Sequence, residues 1–274
     1  MKLSVIIPVL NERDTLPATI AALRACHGIA EIIVADGGST DGTVPWLQSQ
    51  RDIVLVRSIR GKGPQMNVGA AAAFDASGAS HIPETAIIEI AATETTSTAT
   101  TAAETTATKT AASGPSDIAL LFLHADCLIS QPALDALQVA LADRQLVGGA
   151  FYIRFAEARP RSLRLVSWGI NLRARLRGSA TGDQGIFVRR DVFLSIGGAP
   201  EWPLFEDVEL VRRIKRAGKF VVLKTPITVS GRRYIRHGVL RTALLIYSLR
   251  LAYWLGVPPH RLKNWFKDAD ARRR

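Results

Sequence analysis

The sequence predicts an α/β fold with a mostly parallel central sheet flanked by helices, and three observations predict it. Residues 3–8 and 31–35 are short runs rich in Val and Ile, and the stretch between them, 15–26, repeats its apolar residues at helical spacing. The alternation of strand-like and helix-like segments then continues along the chain, the pattern of a parallel sheet covered on both faces. Polar and acidic residues gather just after the strand-like runs, where sheets of this kind bind their ligands.

Each element follows from its own stretch. After the β-α-β opening come a helix near 44–49, a strand at 53–56, a helix around 65–74 and a strand at 118–123. The insertion 76–116 breaks the alternation. Residues 93–110 are mostly Thr and Ala with scattered Glu and no large apolar side chain, so they cannot bury enough surface to offset their ordering entropy. Disorder is expected there, with 87–92 as its one helix-like stretch. Next are a helix near 133–142, a strand at 150–155, a basic helix around 163–176 and a strand at 185–189. A helix over 208–217 should end at Gly218, where a left-handed residue is easiest for glycine. Short strands at 220–223 and 227–229 and helices at 239–255 and from Pro259 onward complete the chain. The organisation expected is one domain over 1–235, interrupted by 76–116, and a basic helical extension over 236–274.

The 274 residues and 47% hydrophobic content suffice for a buried core. Cys26 and Cys127 stand far apart without a CxxC, which argues against a disulfide framework or a cysteine zinc site and fits a cytoplasmic setting. With 35 Lys and Arg against 24 Asp and Glu, the formal charge of +11 implies an anionic partner. Much of it lies in the C-terminal half, in Arg159, Arg161, Arg164, Arg173, Arg175 and Arg177. The opening residues read as a strand and not a signal peptide, since no small-residue cleavage site follows them. The apolar stretch 239–255 contains Arg241 and Arg250, so it has no uncharged run long enough to span a bilayer. Those arginines fall roughly 180° apart on a helix, which leaves two readings open: a helix in a membrane interface, or one packed on the sheet.

Four constellations carry chemistry. Residues 5–12 (Val-Ile-Ile-Pro-Val-Leu-Asn-Glu) and 32–43 (Ile-Ile-Val-Ala-Asp-Gly-Gly-Ser-Thr-Asp-Gly-Thr) each end a strand in polar residues. Asp36 leaves a buried strand on a glycine turn, so its carboxylate can accept from a base or ribose, whereas Asp41 reads better as a helix cap. Residues 60–69 form a Gly-rich stretch with Lys62 and Asn67, but not a dinucleotide fingerprint, because the third glycine is missing. Residues 120–126 (Leu-Leu-Phe-Leu-His-Ala-Asp) bring His124 and Asp126 to a strand end. Residues 182–190 contain Asp183 and Gln184, and residues 204–210 contain the acidic pair Glu206 and Asp207 at a helix start, where acids also complement the helix dipole.

These motifs resemble the family 2 glycosyltransferases of the GT-A fold, and especially a subgroup of small bacterial members whose acceptor is undefined. The resemblance covers nearly all of the chain outside 76–116. It implies that Asp36 contacts the nucleotide base, that Pro8, Asn11 and Glu12 line the nucleoside pocket, and that Lys62, Asn67 and His124 lie near the donor. Asp126 keeps the second acid of the family's Asp-x-Asp motif, with His124 in place of the first, and would bind Mg²⁺ or Mn²⁺. Asp207 becomes the general base with Glu206 beside it, Asp183 and Gln184 meet the acceptor, and Arg232 and Arg233 meet the diphosphate. The implied activity is sugar transfer with inversion from a nucleoside-diphosphate donor, a UDP-sugar being favoured, to an unidentified acceptor for which a lipid or isoprenoid is considered. Peripheral contact with an anionic membrane at its cytoplasmic face is a further expectation, and nucleic acid is not expected as a partner. Two rivals are a nucleotidyltransferase of related fold, which would show a Gly-rich phosphate loop directly after the first strand, and a non-catalytic basic binder of anionic surfaces, which leaves the acids unexplained.

Overall fold

The computed structural model describes residues 1–73, 88–89, 117–157 and 159–271. In chain order these form β1 (Lys2–Val9), α1 (Leu16–Arg24), β2 (Glu31–Asp36), α2 (Thr43–Gln48), β3 (Ile53–Arg57), α3 (Lys62–Ala72) and β4 (Ile88–Glu89). There follow β5 (Ile118–Phe122), β6 (Cys127–Leu128), α4 (Gln131–Ala142), β7 (Leu146–Phe155), α5 (Ser162–Arg177), β8 (Ile186–Arg189) and α6 (Arg190–Ser195). The last elements are α7 (Glu206–Ala217), β9 (Lys219–Val229), α8 (Arg232–His237), α9 (Val239–Trp254) and α10 (Pro259–Ala271).

One sheet runs through the molecule in the order β4-β3-β2-β1-β5-β8-β7-β9-β6. The strands β1 to β5 on one side pair in parallel, and β7 and β9 are parallel to each other. Between these groups β8 runs antiparallel to both neighbours, and β6 is antiparallel to β9. The run Val-Ile-Ile in β1 is explained by burial on both faces, as strands in a covered parallel sheet require. Val5 and Ile7 pack with α1 and α4 through Leu16, Ile20, Leu134 and Leu137, while Ile6 packs with α3 and α7 through Met66 and Leu210. Gly69 lets α3 lie directly on β1, since a Cβ there would collide with the Ile6 side chain.

Three features differ from the sequence reading. Residues 220–223 and 227–229 belong to a single strand, β9, whose register with β7 shifts between Phe151 and Tyr152 and so absorbs Pro226. The short elements β6, α6 and α8 carry no periodicity of their own. The expected insertion 76–116 falls outside the described residues except for Ile88 and Glu89, which add a strand beside β3 instead of a helical turn.

The described helices include none long and apolar enough to cross a membrane. The helix α9, from the expected C-terminal extension, packs on α5 and α8.

Candidate functional site

The parallel strands β1, β2 and β5 deliver their C-terminal ends to one edge of the sheet, and the polar residues expected to carry function meet there. Asp36 is buried, and its carboxylate accepts the backbone N–H of Gly38 at 2.9 Å and of Ser39 at 3.1 Å. Asn11 takes a left-handed backbone conformation, φ 57°, which asparagine tolerates better than most residues. Its amide oxygen accepts from Thr40 N at 2.8 Å while its own N–H donates to Ser39 Oγ at 2.8 Å. Glu12 accepts the Thr15 hydroxyl at 2.5 Å, and its backbone N–H donates to Thr43. Pro8 pairs with Ala35 in the strands below. The two loops are therefore stitched together around Asn11 and Asp36.

Across this edge, Lys62 at the start of α3 places its Nζ 3.1 Å from His124 Nε2. Burial, with Lys62 second, drives the His124 pKa well below its ordinary value, so the ring is neutral and its Nε2 can accept from the ammonium. Burial raises the carboxyl of Asp126, and its own backbone N–H, Arg232 and Lys62 pull the other way. Ligand atoms of His124, Asp126 and Cys127 all lie within 4.8 Å of one another. Burial keeps the Cys127 thiol protonated, well above its usual range, which leaves His124 and Asp126 as the practical donors of the group. One imidazole and one carboxylate, completed by substrate phosphate oxygens and water, suit a hard or borderline divalent ion such as Mn²⁺ or Mg²⁺.

The acidic pair opens α7 immediately after Phe205, which is also left-handed at φ 63°. Among the described residues, Asn11 and Phe205 are the non-glycine positions with positive φ, and both border this site, where such strain is commonly kept. Asp207 accepts the Gly182 N–H at 2.6 Å and the Val208 N–H at 2.7 Å, so its carboxylate is held in a fixed orientation. Glu206 is pushed up to about 7, first by burial and then by the charge of Asp207. Gly182 is wedged between the two halves of the site: a Cβ on it would lie 2.7 Å from His124 Nε2 and 3.4 Å from Asp207 Oδ2. A cavity of about 220 Å³ joins them, with Lys62, His124, Asp183, Glu206, Asp207 and Arg233 on its walls and α5 and α9 on its far side. Lys62, His124, Asp183, Glu206 and Asp207 thus share one cavity, with Asp126 beside His124 and within electrostatic range of Lys62 and Arg232.

Two expected residues work from behind the cavity. Asn67 clamps the loop before α7, donating to Ala199 O at 3.0 Å and accepting from Ala199 N at 2.8 Å. Gln184 is fully buried, donating to Phe151 O and accepting from Thr181 and Arg173, so its amide holds neighbours in place and does not face the cavity. Several residues with structural duties at the site escaped sequence reasoning. Gln65 donates to both Val9 O and Ala35 O at 2.7 Å, tying the ends of β1 and β2, and Thr19 donates to Ala125 O at 2.6 Å. A Gln inside an otherwise apolar helix face was the available signal for the first. Arg173, from the basic stretch expected to meet an anion, and Arg250, from the helix left open between membrane and sheet, lie on the cavity wall.

Known proteins match part of this sequence and its fold. The family model described as glycosyl transferase family 2 matches residues 4–76, the stretch that holds β1, β2 and the Lys62 segment. No curated protein matches the chain. Among solved structures, S. aureus TarS 1-349 matches with a TM-score of 0.56 at 16% identity over 89% of this chain and 64% of that one. Its complex with UDP-GlcNAc gives 0.55 at 16% identity, over 84% and 58%. The mannosyltransferase PcManGT from Pyrobaculum calidifontis, in complex with GDP-Man and Mn²⁺, gives 0.53 at 20% identity, over 98% and 68%. The chain therefore spans less than two thirds of the TarS chains it matches. Residues 4–76 thus match the glycosyl transferase family 2 model, and the described chain shares the GT-A fold of these structures.

Proposed function

We propose that this protein is a glycosyltransferase that moves one sugar from a nucleoside diphosphate to an acceptor oxygen, with inversion at the anomeric carbon. The observation that carries the reading is the convergence on one cavity of Lys62 and His124, with Asp126 beside His124, and of the acidic pair Glu206 and Asp207. The nucleotide-sugar complexes of TarS and PcManGT support a donor of this class, and a UDP-sugar is the form we favour.

Asp36, Asn11 and Glu12 bind the nucleoside in the edge formed by β1 and β2, and Lys62, Arg232 and Arg233 meet the diphosphate. Asp126, with His124 beside it, would hold Mn²⁺ or Mg²⁺, which supplies Lewis-acid neutralisation of the departing diphosphate. Asp207 takes the proton of the acceptor oxygen, from a hydroxyl or from a singly charged phosphate, as that oxygen bonds to the anomeric carbon. The bond from this carbon to the diphosphate oxygen breaks with its electron pair, and the nucleoside diphosphate leaves. Fixed N–H groups from Gly182 and Val208 keep Asp207 aimed, so little reorganisation is needed at reaction. Asp183, on the wall of the same cavity, meets the acceptor.

A lipid acceptor and peripheral contact with an anionic membrane, at its cytoplasmic face, belong to this proposal. Support comes from the outward side of α9, where Leu240, Leu244, Leu251 and Trp254 are exposed at helical spacing, and from Leu165, Trp168 and Leu176 exposed on the neighbouring α5. Such a stripe with arginines around it suits the headgroup boundary. Sedimentation with liposomes tests this: preference for anionic over neutral vesicles is expected, and equal or absent binding rejects the membrane contact.

The transferase reading is tested by release of nucleoside diphosphate from UDP-, GDP- and dTDP-sugars, with Mn²⁺, Mg²⁺ or chelator, in wild type, Asp126→Asn and Asp207→Asn. Metal-dependent turnover suppressed by both substitutions is expected. No turnover of any donor by folded wild-type protein rejects it.

A further inference from the structure

The wall of the cavity opposite the acidic pair contains two guanidinium groups that the proposed chemistry does not use. Arg173 projects from α5 and Arg250 from α9, and both are largely withdrawn from water. Burial lowers the pKa of each, and for Arg250 the next cause is the positive charge of Arg173, so the two stand close enough to repel. Neither makes an ion pair within 4.0 Å among the described residues. The groups facing them are Asp183, Asp207, Tyr234 and Tyr247, which act at longer range. Arg173 donates one hydrogen bond, to Gln184 at 3.1 Å, and its buried Nε has no partner. Two like charges held together away from water are costly unless an anion completes them.

Beyond the arginines the cavity meets a larger groove of about 1440 Å³ between α5, α7 and α9, and Arg173, Tyr247 and Arg250 border both spaces. Leu172, Leu176, Val211, Leu251 and Trp254 line this groove with apolar surface, and Arg212, Lys215 and Arg216 line it with charge. Leu176, Leu251 and Trp254 are also part of the exposed stripe on α5 and α9. The groove thus leads from an apolar outer face to a pair of buried cations, and then to Asp207.

We propose that this groove binds an amphiphilic acceptor whose phosphate head sits between Arg173 and Arg250 and whose hydrocarbon lies against Leu172, Leu176, Leu251 and Trp254. A phosphate monoester matches the pair in charge, carrying close to two negative charges near neutral pH, and each planar guanidinium can donate two parallel hydrogen bonds to its oxygens. A neutral sugar or alcohol would leave both cations uncompensated. The inference rests on the transferase reading and names the acceptor class for it.

The test is calorimetric titration of the full chain with geranyl phosphate, geraniol and inorganic phosphate, alone and with UDP present, in wild type, Arg173→Gln, Arg250→Gln and Arg250→Lys. Wild type is expected to bind geranyl phosphate about tenfold or more tighter than either of the other two, with Arg250→Gln losing that preference and Arg250→Lys keeping part of it. Equal affinity for geraniol overturns the phosphate site, and equal affinity for inorganic phosphate overturns the apolar groove. Competition by UDP would move the anion to the donor end and also overturns it. Arg173 braces Gln184, so if Arg173→Gln does not fold, Arg250→Gln decides. Release of nucleoside diphosphate by the same wild-type preparation separates the outcomes: release without the binding preference rejects this inference alone, and no release rejects the transferase reading.

Discussion

Glu206→Gln should change stability in a pH-dependent way whose sign follows from the site. The side chain is buried at the start of α7, and burial together with Asp207 raises its carboxyl from 4.5 to about 7. The folded protein therefore keeps a proton that the unfolded chain releases, and stability falls as pH rises from the unfolded value through the folded one. The difference corresponds to about 3 kcal/mol once the group is fully ionised, an upper bound because local relaxation and water penetration ease a buried charge. Glutamine removes this penalty while keeping the shape. Urea unfolding of wild type and Glu206→Gln from about pH 4.5 to about pH 8 should show similar stability at the acid end, an advantage for the variant that grows between 4.5 and about 7, and a plateau above that. An offset that stays constant across the range would refute the argument, since it would mean that burial and Asp207 do not raise this carboxyl.

Other substitutions probe the rest of the site. Gly182→Ala puts a methyl against His124 and Asp207 and should lower turnover on the order of 100-fold with the fold retained, as followed by nucleoside diphosphate release and circular dichroism. Gln65→Ala removes the donor to Val9 O and Ala35 O and should cost about 1–3 kcal/mol in denaturant unfolding. Asp126→Asn should weaken Mn²⁺ binding, read directly by electron paramagnetic resonance of the free ion in the presence of UDP, by on the order of 10-fold or more.

The strands and the acids at their ends were legible because parallel strands buried on both faces must read as Val and Ile runs, and because polar residues at their C-terminal ends have no packing role. Asp36 and Asp126 were visible for that reason, and Glu206 as half of an acidic pair at a helix start. What could not be read was direction. Gln184 and Asn67 are polar residues in the expected motifs, yet their amides are consumed by Phe151, Arg173 and Ala199, contacts that join segments distant in sequence. The basic and apolar pattern of α9 misled in the opposite sense. Arg241 and Arg250 fall on opposite sides, which obscures an amphipathic face, but Arg250 points into the cavity, so the outer side keeps its run of exposed Leu and Trp. Helical spacing shows which residues share a side and is silent on which side is inside.

That inward turn of Arg250 has a thermodynamic consequence. Burial and the charge of Arg173 bring its pKa from 12.5 down to about 10, so the folded protein holds the charged form less favourably than water does. A buried charge without a close counter-ion can often be replaced by an apolar side chain of similar length at no loss, or with a gain of about 1–4 kcal/mol. Arg250→Met should accordingly leave the free protein as stable as wild type or more so, while binding of geranyl phosphate is lost. Thermal unfolding with and without geranyl phosphate reads both effects together: the ligand should raise the wild-type midpoint and leave that of the variant unmoved. A variant that is clearly less stable than wild type in the absence of ligand would show that Arg250 is held for the fold, whereas stability gained at the expense of anion binding is the mark of a residue kept for a substrate.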